Sequence, residues 1–192
     1  ITIPFLAANA STIIDNAFAL SIADNIANGT EANFTITMTI GGYPPWTYEF
    51  FRIISAPALQ FGNITIYDPT GNNNGRLDPG ETVTISLLLN NIGGSVSPSG
   101  TATMSCSDSG ITINNGYAVF SSIPASGNTT LSFNLTASSS LTIGTLITLN
   151  FNATAGAYTA NKLEPITLGL ILEDFETGNF NAFGWTMGTY PW

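Results

Sequence analysis

The chain has 192 residues, 44% of them hydrophobic and only 8% charged, with a formal net charge of −9. Three basic residues, Arg52, Arg76 and Lys162, cannot build a cationic face, which excludes nucleic-acid binding and disfavours an anionic membrane surface. With no His and one Cys, the sequence offers no internal disulfide, no imidazole-assisted nucleophile and no Ser-His-Asp arrangement, and it disfavours a zinc site.

Thr, Ser, Asn and Gly fill most polar positions, a mixture that favours strands and turns over helices. No run of about 18 apolar residues is present, so no membrane-spanning helix is expected. The scarcity of thiols and basic residues suits an extracellular β-protein. Residue 1 is not Met and no signal peptide follows it, so the chain reads as a mature or excised piece.

Residues 1–57 read as strands and turns. Ala17–Ile22 alternates with Phe18, Leu20 and Ile22 on one face. After a turn at 24–29, Ala32–Ile40 alternates again through Phe34, Ile36 and Met38. Gly41–Pro45 is a turn, Thr47–Ile54 a further strand, and Ala56-Pro57 a linker.

Residues 58–168 predict a full set of short strands: Leu59–Phe61, Ile64–Tyr67, Thr82–Leu89, Gly100–Ser105, Ile111–Ile113, Ala118–Phe120, Thr129–Leu135, Leu146–Ala153 and Leu163–Leu168. Short alternating strands at this spacing predict an all-β, antiparallel, immunoglobulin-like sandwich. Cys106 falls in one of them and is expected to pack as a small apolar group.

Between the second and third of these strands groups lies the run Asp68-Pro-Thr-Gly-Asn-Asn-Asn-Gly-Arg-Leu-Asp-Pro-Gly-Glu81. Its hard oxygen donors on a turn suit Ca2+. With Gly75 at position 6 of an EF-hand-like loop, Glu81 falls on position 12. Asn72 and Asn74 then take positions 3 and 5, the Arg76 carbonyl position 7, and Asp78 position 9. Thr70 stands where an Asp is wanted, and Asp68 lies two residues early. The expected metal ligands are therefore Asp68, Asn72, Asn74, Arg76, Asp78 and Glu81, on a β scaffold without the helices of an EF-hand. The alternative is an Asx-turn-rich connection whose charges are simply solvated.

An internal repeat organises the whole chain. At an offset of 115, eight of the 36 positions from 18 to 53 are identical without a gap, among them Phe18 with Phe133, Gly29-Thr30 with Gly144-Thr145, and Tyr43 with Tyr158. Residues 58–168 thus form one complete module in tandem with residues 1–57, the C-terminal half of another. Such a half exposes apolar faces and open edges, so it calls for completion by upstream sequence or by another chain. Residues 169–192 change character and carry Phe175, Phe180, Phe183, Trp185, Tyr190 and Trp192. They read as the start of a further domain or as an aromatic tail.

The run Gly62-Asn-Ile-Thr-Ile-Tyr-Asp-Pro-Thr-Gly-Asn-Asn-Asn-Gly-Arg-Leu-Asp-Pro-Gly-Glu-Thr-Val83, with Leu88-Leu-Asn-Asn-Ile-Gly-Gly94 after it, resembles the opening of immunoglobulin-like modules in large secreted bacterial surface proteins. Leu170-Ile-Leu-Glu-Asp-Phe-Glu-Thr-Gly178, followed by Gly184-Trp185, is similar to the start of a cleaved-adhesin jelly-roll domain. That order occurs downstream of the catalytic domain in gingipain-type cysteine peptidases. The resemblance covers most of residues 14–185. It implies a bacterial extracellular or cell-surface location and adds Glu173 or Glu176 as a calcium ligand. The peptidase Cys and His of that family have no counterpart here.

Three roles follow as expectations. The first is a non-catalytic spacer and interaction module of a larger secreted or surface protein, stabilised by Ca2+. The second is a non-catalytic fragment of a gingipain-type peptidase. The third is a subunit of an extracellular filament in which one chain's strands complete another's half module. Expected partners are neighbouring domains, another copy of the chain, a cell-surface protein or a glycan. Seven Asn-x-Ser/Thr sequons, at Asn9, Asn28, Asn33, Asn63, Asn128, Asn134 and Asn152, read as β-surface residues rather than glycan sites.

Overall fold

The computed structural model describes residues 1–3 and 5–169, which form antiparallel strands and connections without a helix. The strands are β1 (Thr30–Met38), β2 (Trp46–Ile54), β3 (Leu59–Tyr67), β4 (Thr82–Asn91), β5 (Gly100–Cys106), β6 (Ile111–Asn115), β7 (Tyr117–Phe120), β8 (Asn128–Ala137), β9 (Leu146–Ala155) and β10 (Tyr158–Thr167). The adhesin-like start, its aromatic residues, and Glu173 and Glu176 lie outside the described residues.

Strands β3–β10 make two four-stranded sheets, ordered β3-β4-β8-β6 and β10-β9-β5-β7. In chain order the first is A-B-E-D of an immunoglobulin-like sandwich and the second is G-F-C with one added strand. Alternation builds the core. Every second residue of β4 and β9 is buried, and of β8 from Leu131 onward. Val83, Ile85, Leu87 and Leu89 line up with Leu131, Phe133 and Leu135 against Leu149 and Phe151 of the facing sheet. Phe133 and Phe61 both tilt against Phe151, with ring centroids 5.6 and 6.2 Å away. Cys106 is half-buried and packs on this core, as its strand position predicts.

Several strands differ from the expectation for local reasons. Leu59–Phe61 and Ile64–Tyr67 are one strand, β3, joined through a bulge at Gly62-Asn63. The Gly62 carbonyl in the bulge accepts from Lys162 Nζ, which also pairs with Glu164 at 3.0 Å, so the sandwich edge between β3 and β10 is closed by a polar clasp. β10 begins at Tyr158, five residues before the expected Leu163, because its polar start pairs with β9 in full register. β6 and β7 are one strand path that changes sheets. Ile111–Asn115 pairs with β8, then the chain crosses at Gly116, whose carbonyl accepts from Met104 N at 2.8 Å, and Tyr117–Phe120 pairs with β5.

Ala17–Ile22 is not a strand. Its repeat counterpart in β8 pairs with β4 and β6, and residues 1–57 contain no counterpart of either. Backbone groups without a neighbouring strand stay with solvent.

The two hairpins share the hydrogen bonds at their bases. Gly29 N donates to Ile54 O at 2.9 Å, and Gly144 N to Leu168 O at 2.7 Å. Thr30 Oγ1 donates to Ala27 O at 2.8 Å, and Thr145 Oγ1 to Thr142 O at 2.7 Å. The gapless offset does not hold throughout, however. Phe34 pairs with Phe50, whereas its counterpart Leu149 pairs with Glu164, so the offset of 115 along β1 becomes 114 along β2. A one-residue shift exchanges the faces of a strand. It brings Trp46, Tyr48 and Phe50 to the face that carries Phe34 and Ile36.

The link between hairpin and sandwich is tightly held. Asn91, fully buried, accepts from Ala58 N and Gly93 N and donates to the carbonyls of Ser95, Ile123 and Pro124. A side chain at Gly93 would lie 2.2 Å from Ala56 O, so the two strand ends meet there only because position 93 is Gly. Replacing Asn91 by Ala leaves several buried partners unpaired and is expected to cost about 3 kcal/mol. The exposed Ser132→Ala change should stay within about 0.5 kcal/mol. Urea unfolding of the full chain measures both.

Candidate functional site

The connection from β3 to β4 carries the six ligands predicted for the loop, and it folds around its first residue. Asp68 is 1% exposed at the end of β3. Its two carboxylate oxygens accept from Asn74 N and Gly75 N, both at 3.1 Å. Register alone placed Asp68 outside an EF-hand-like loop. The structure places it at the centre, because the loop doubles back so that residues 74 and 75 close on residue 68. Asn73 and Gly75, with φ of 58° and 75°, make that reversal. Asn and Gly are the residues that adopt this conformation at least cost.

Two successive Asx turns follow. Asn72 Oδ1 accepts from Asn74 N at 3.0 Å and Asn74 Oδ1 from Arg76 N at 2.9 Å. The amide groups of the same two side chains converge on Asp78 Oδ2, at 2.6 Å from Asn72 and 2.9 Å from Asn74. Glu81 closes the loop from the other side. Its Oε1 accepts from Asn72 N at 3.0 Å and its Oε2 from Asp78 N at 3.2 Å. Thus each of the three carboxylates holds two N–H donors.

The loop is fastened to the sandwich at several points. Leu77 is fully buried and plugs the end of the core. Its carbonyl accepts from Gly169 N at 3.0 Å, and Gly80 N donates to Ala137 O at 3.0 Å. Leu77 carried no signal in the sequence beyond being the one apolar residue in a polar turn. That isolation is the clue that a loop side chain serves as a plug.

The arrangement gathers Asp68, Asn72, Asn74, Asp78 and Glu81 around one reversal, with Arg76 held by its backbone N–H. Among the described residues, no three carboxylate, thiol or imidazole groups cluster at the spacing of a ready-made metal centre. The reason is visible in the hydrogen bonds: N–H groups lie between the carboxylates. The donor chemistry still suits Ca2+, since every candidate side chain offers hard oxygen, and each Asn oxygen keeps a second lone pair.

A concavity of about 510 Å³ lies where the hairpin meets the sandwich. Asn25, Asn28, Leu59, Ile92 and Tyr158 are on its wall and no charged residue is. Asn28 Oδ1 fixes the junction beside it by accepting from Ala56 N and Gly94 N, each at 3.1 Å.

No protein-family model matches the chain, and no curated protein matches it. Among solved structures, the ASH/PapD-like domain 7 of human CEP192 is similar at a TM-score of 0.32 and 11% identity, over 57% of this chain and 84% of that one. At that score the sandwich assignment rests on strand order and register, not on the likeness.

The hydrogen bonds rank the acidic residues in the metal-free loop. Asp68→Ala removes a buried acceptor of two backbone N–H groups and is expected to cost about 2–3 kcal/mol. Glu81 is only half-buried, and Glu81→Ala should cost about 1 kcal/mol. Urea unfolding in the presence of a chelator tests this order.

Proposed function

We propose that the chain is a non-catalytic spacer and interaction segment of a larger secreted or surface protein, with the loop from Asp68 to Glu81 as a calcium-binding clamp. The observation that carries the spacer reading is the repeated hairpin, with the same Gly and Thr hydrogen bonds at the base of β1–β2 and of β9–β10. A hairpin joined to a sandwich by a short, hydrogen-bonded link suits a segment that would keep flanking domains at a fixed separation. Lone Cys106 sits on a strand against the core, which supports packing as its role. The resemblance of the loop and its flanks to modules of bacterial surface proteins supports the extracellular setting, and the gingipain-type parent is one instance of it.

Calcium would be held by Asp68, Asp78 and Glu81 with the Asn72 and Asn74 oxygens and the Arg76 carbonyl. The ion would supply charge neutralisation and a tie between β3 and β4, with no chemical step. Binding requires the Asn72 and Asn74 amide groups to turn away from Asp78, where they now stand in for a cation.

A ligand that binds only the folded state raises stability by mass action, by about 2.7 kcal/mol at a hundred times its Kd. The melting temperature should therefore be higher in millimolar Ca2+ than in chelator, with a smaller rise in Mg2+, which demands a tighter octahedron. Glu81→Ala should remove the difference. Equal melting with and without Ca2+ would refute the clamp. Turnover of a protein or glycan substrate, lost on substituting a single residue, would refute the non-catalytic reading.

A further inference from the structure

The sequence holds three Asn-Gly pairs, Asn28-Gly29, Asn74-Gly75 and Asn115-Gly116. Asparagine is a thermolabile side chain. It is most labile before glycine, whose nitrogen can close on the side-chain amide carbon with no Cβ in the way. The fold treats the three pairs differently.

Two of the glycine nitrogens are engaged. Gly29 N donates to Ile54 O at 2.9 Å, and Asn28 Oδ1 is held by Ala56 N and Gly94 N, each at 3.1 Å. Gly75 N donates to Asp68 Oδ1 at 3.1 Å, and Asn74 Nδ2 to Asp78 Oδ2 at 2.9 Å. The Asp68 carboxylate also opposes negative charge on the nitrogen that bonds to it.

The third pair lies where the chain crosses from β6 to β7. Gly116 is tied through its carbonyl, which accepts from Met104 N at 2.8 Å, and among the described residues its N–H has no acceptor. Asn115 is exposed, and its Oδ1 accepts from Tyr117 N at 3.3 Å. That Asx turn lays the side-chain amide over the Gly116 peptide and polarises its carbonyl. The pairing of β6 with β8 is irregular between Ile113 and Asn115, which gives the segment slack. Glycine is imposed at 116, since a Cβ there would lie 2.6 Å from Met104 O. The crossing therefore demands the residue that makes Asn115 labile.

We propose that Asn115-Gly116 is a site of spontaneous deamidation, at which the chain modifies its own crossing between the two sheets. Gly116 N gives its proton to solvent and attacks Asn115 Cγ. A C–N bond forms to close a succinimide, the Cγ–Nδ2 bond breaks, and ammonia leaves with a proton from solvent. Water then adds to one of the two ring carbonyls and breaks its bond to the ring nitrogen, which gives aspartate or isoaspartate. The balance is asparagine and water in, the acid and ammonia out, with no oxidant or reductant. Isoaspartate lengthens the main chain by a methylene and puts a carboxylate beside Tyr117. The Gly116 carbonyl then no longer meets Met104 N, and β7 loosens from β5.

Storage of the folded chain at mildly alkaline pH, followed by peptide mapping with mass spectrometry, tests it. The peptide containing Asn115 should gain the mass difference between NH2 and OH and split into aspartate and isoaspartate forms. Asn28 and Asn74 should react at least about tenfold more slowly, since each glycine N–H must first leave a hydrogen bond. In concentrated urea the three rates should come together. Hydrogen exchange at Tyr117–Phe120 should speed up in the stored wild type and stay unchanged in an equally stored Asn115→Gln variant. An intact Asn115 in the folded chain, under conditions where the unfolded chain reacts, would overturn the inference. So would reaction at Asn28 or Asn74 as fast as at Asn115, and unchanged exchange in the modified protein would refute the loosening of β7.

Discussion

Everything in this sandwich depends on the two central strands β4 and β8 finding β9. They pair in register over nine positions, from Thr82 opposite Thr136 to Asn90 opposite Asn128. Their inward side chains supply Val83, Ile85, Leu87, Leu89, Leu131, Phe133 and Leu135, each at most 2% exposed. Burial of such a side chain is worth roughly 1.5–3 kcal/mol. A shift of one residue would turn the whole set to solvent. Register is therefore the property the fold protects, and the polar devices at both ends of the sandwich can be understood as stops that prevent sliding.

At one end the stop is Asn91. It occupies an inward position at the end of β4, where an apolar residue would otherwise continue the alternation. By binding five backbone groups from three segments it fixes where β4 ends relative to the β3 start and to the turn at Ile123-Pro124. At the other end the stop is the loop, with Leu77 as plug and Asp68 as the acceptor around which the chain reverses. A buried carboxylate is costly unless it is well hydrogen-bonded, and Asp68 is satisfied by the loop's own backbone. The same residues that suit a cation are thus also those that make a turn rigid, which is why metal chemistry and turn chemistry give overlapping sequence signals here.

That overlap marks the boundary of what was legible in the sequence. Strand existence was legible because alternation is a direct image of a two-faced sheet, and eight of the strands of residues 58–168 fall where the alternation puts them, two of the expected segments being merged in β3. The bulge at Gly62 was not, since it depends on how β3 meets β4 rather than on either alone. The early start of β10 was hidden by Thr159, Asn161 and Lys162, polar residues whose strand state comes from pairing with β9. Ala17–Ile22 shows the opposite failure: a strand-like pattern without a partner makes no strand. In the loop, composition identified the residues that come together, but counting positions from Gly75 misplaced Asp68. Linear register says nothing of a reversal in which a residue seven positions away returns to bond it.

The repeat shows how a small change can redirect a conserved shape. Both hairpins are started by the same Gly-Thr pair and closed by the same carbonyl, yet their second strands differ by one residue in phase. In β10 the inward row contains Ala160, Lys162, Glu164 and Ile166, and Lys162 with Glu164 forms the polar clasp at the sandwich edge. In β2 the equivalent row is Trp46, Tyr48, Phe50 and Arg52. Where the sandwich ends its core with a salt-bridged rim, the hairpin extends an apolar floor to its edge. The row's polar atoms are limited to Arg52, the Tyr48 hydroxyl and the Trp46 indole N–H. The reverse side mixes Glu31, Asn33, Thr35, Thr37, Thr47 and Glu49 with exposed Phe51 and Ile53. One residue of phase separates the two, which makes the β1–β2 turn, rather than either strand, the element that sets which face is offered.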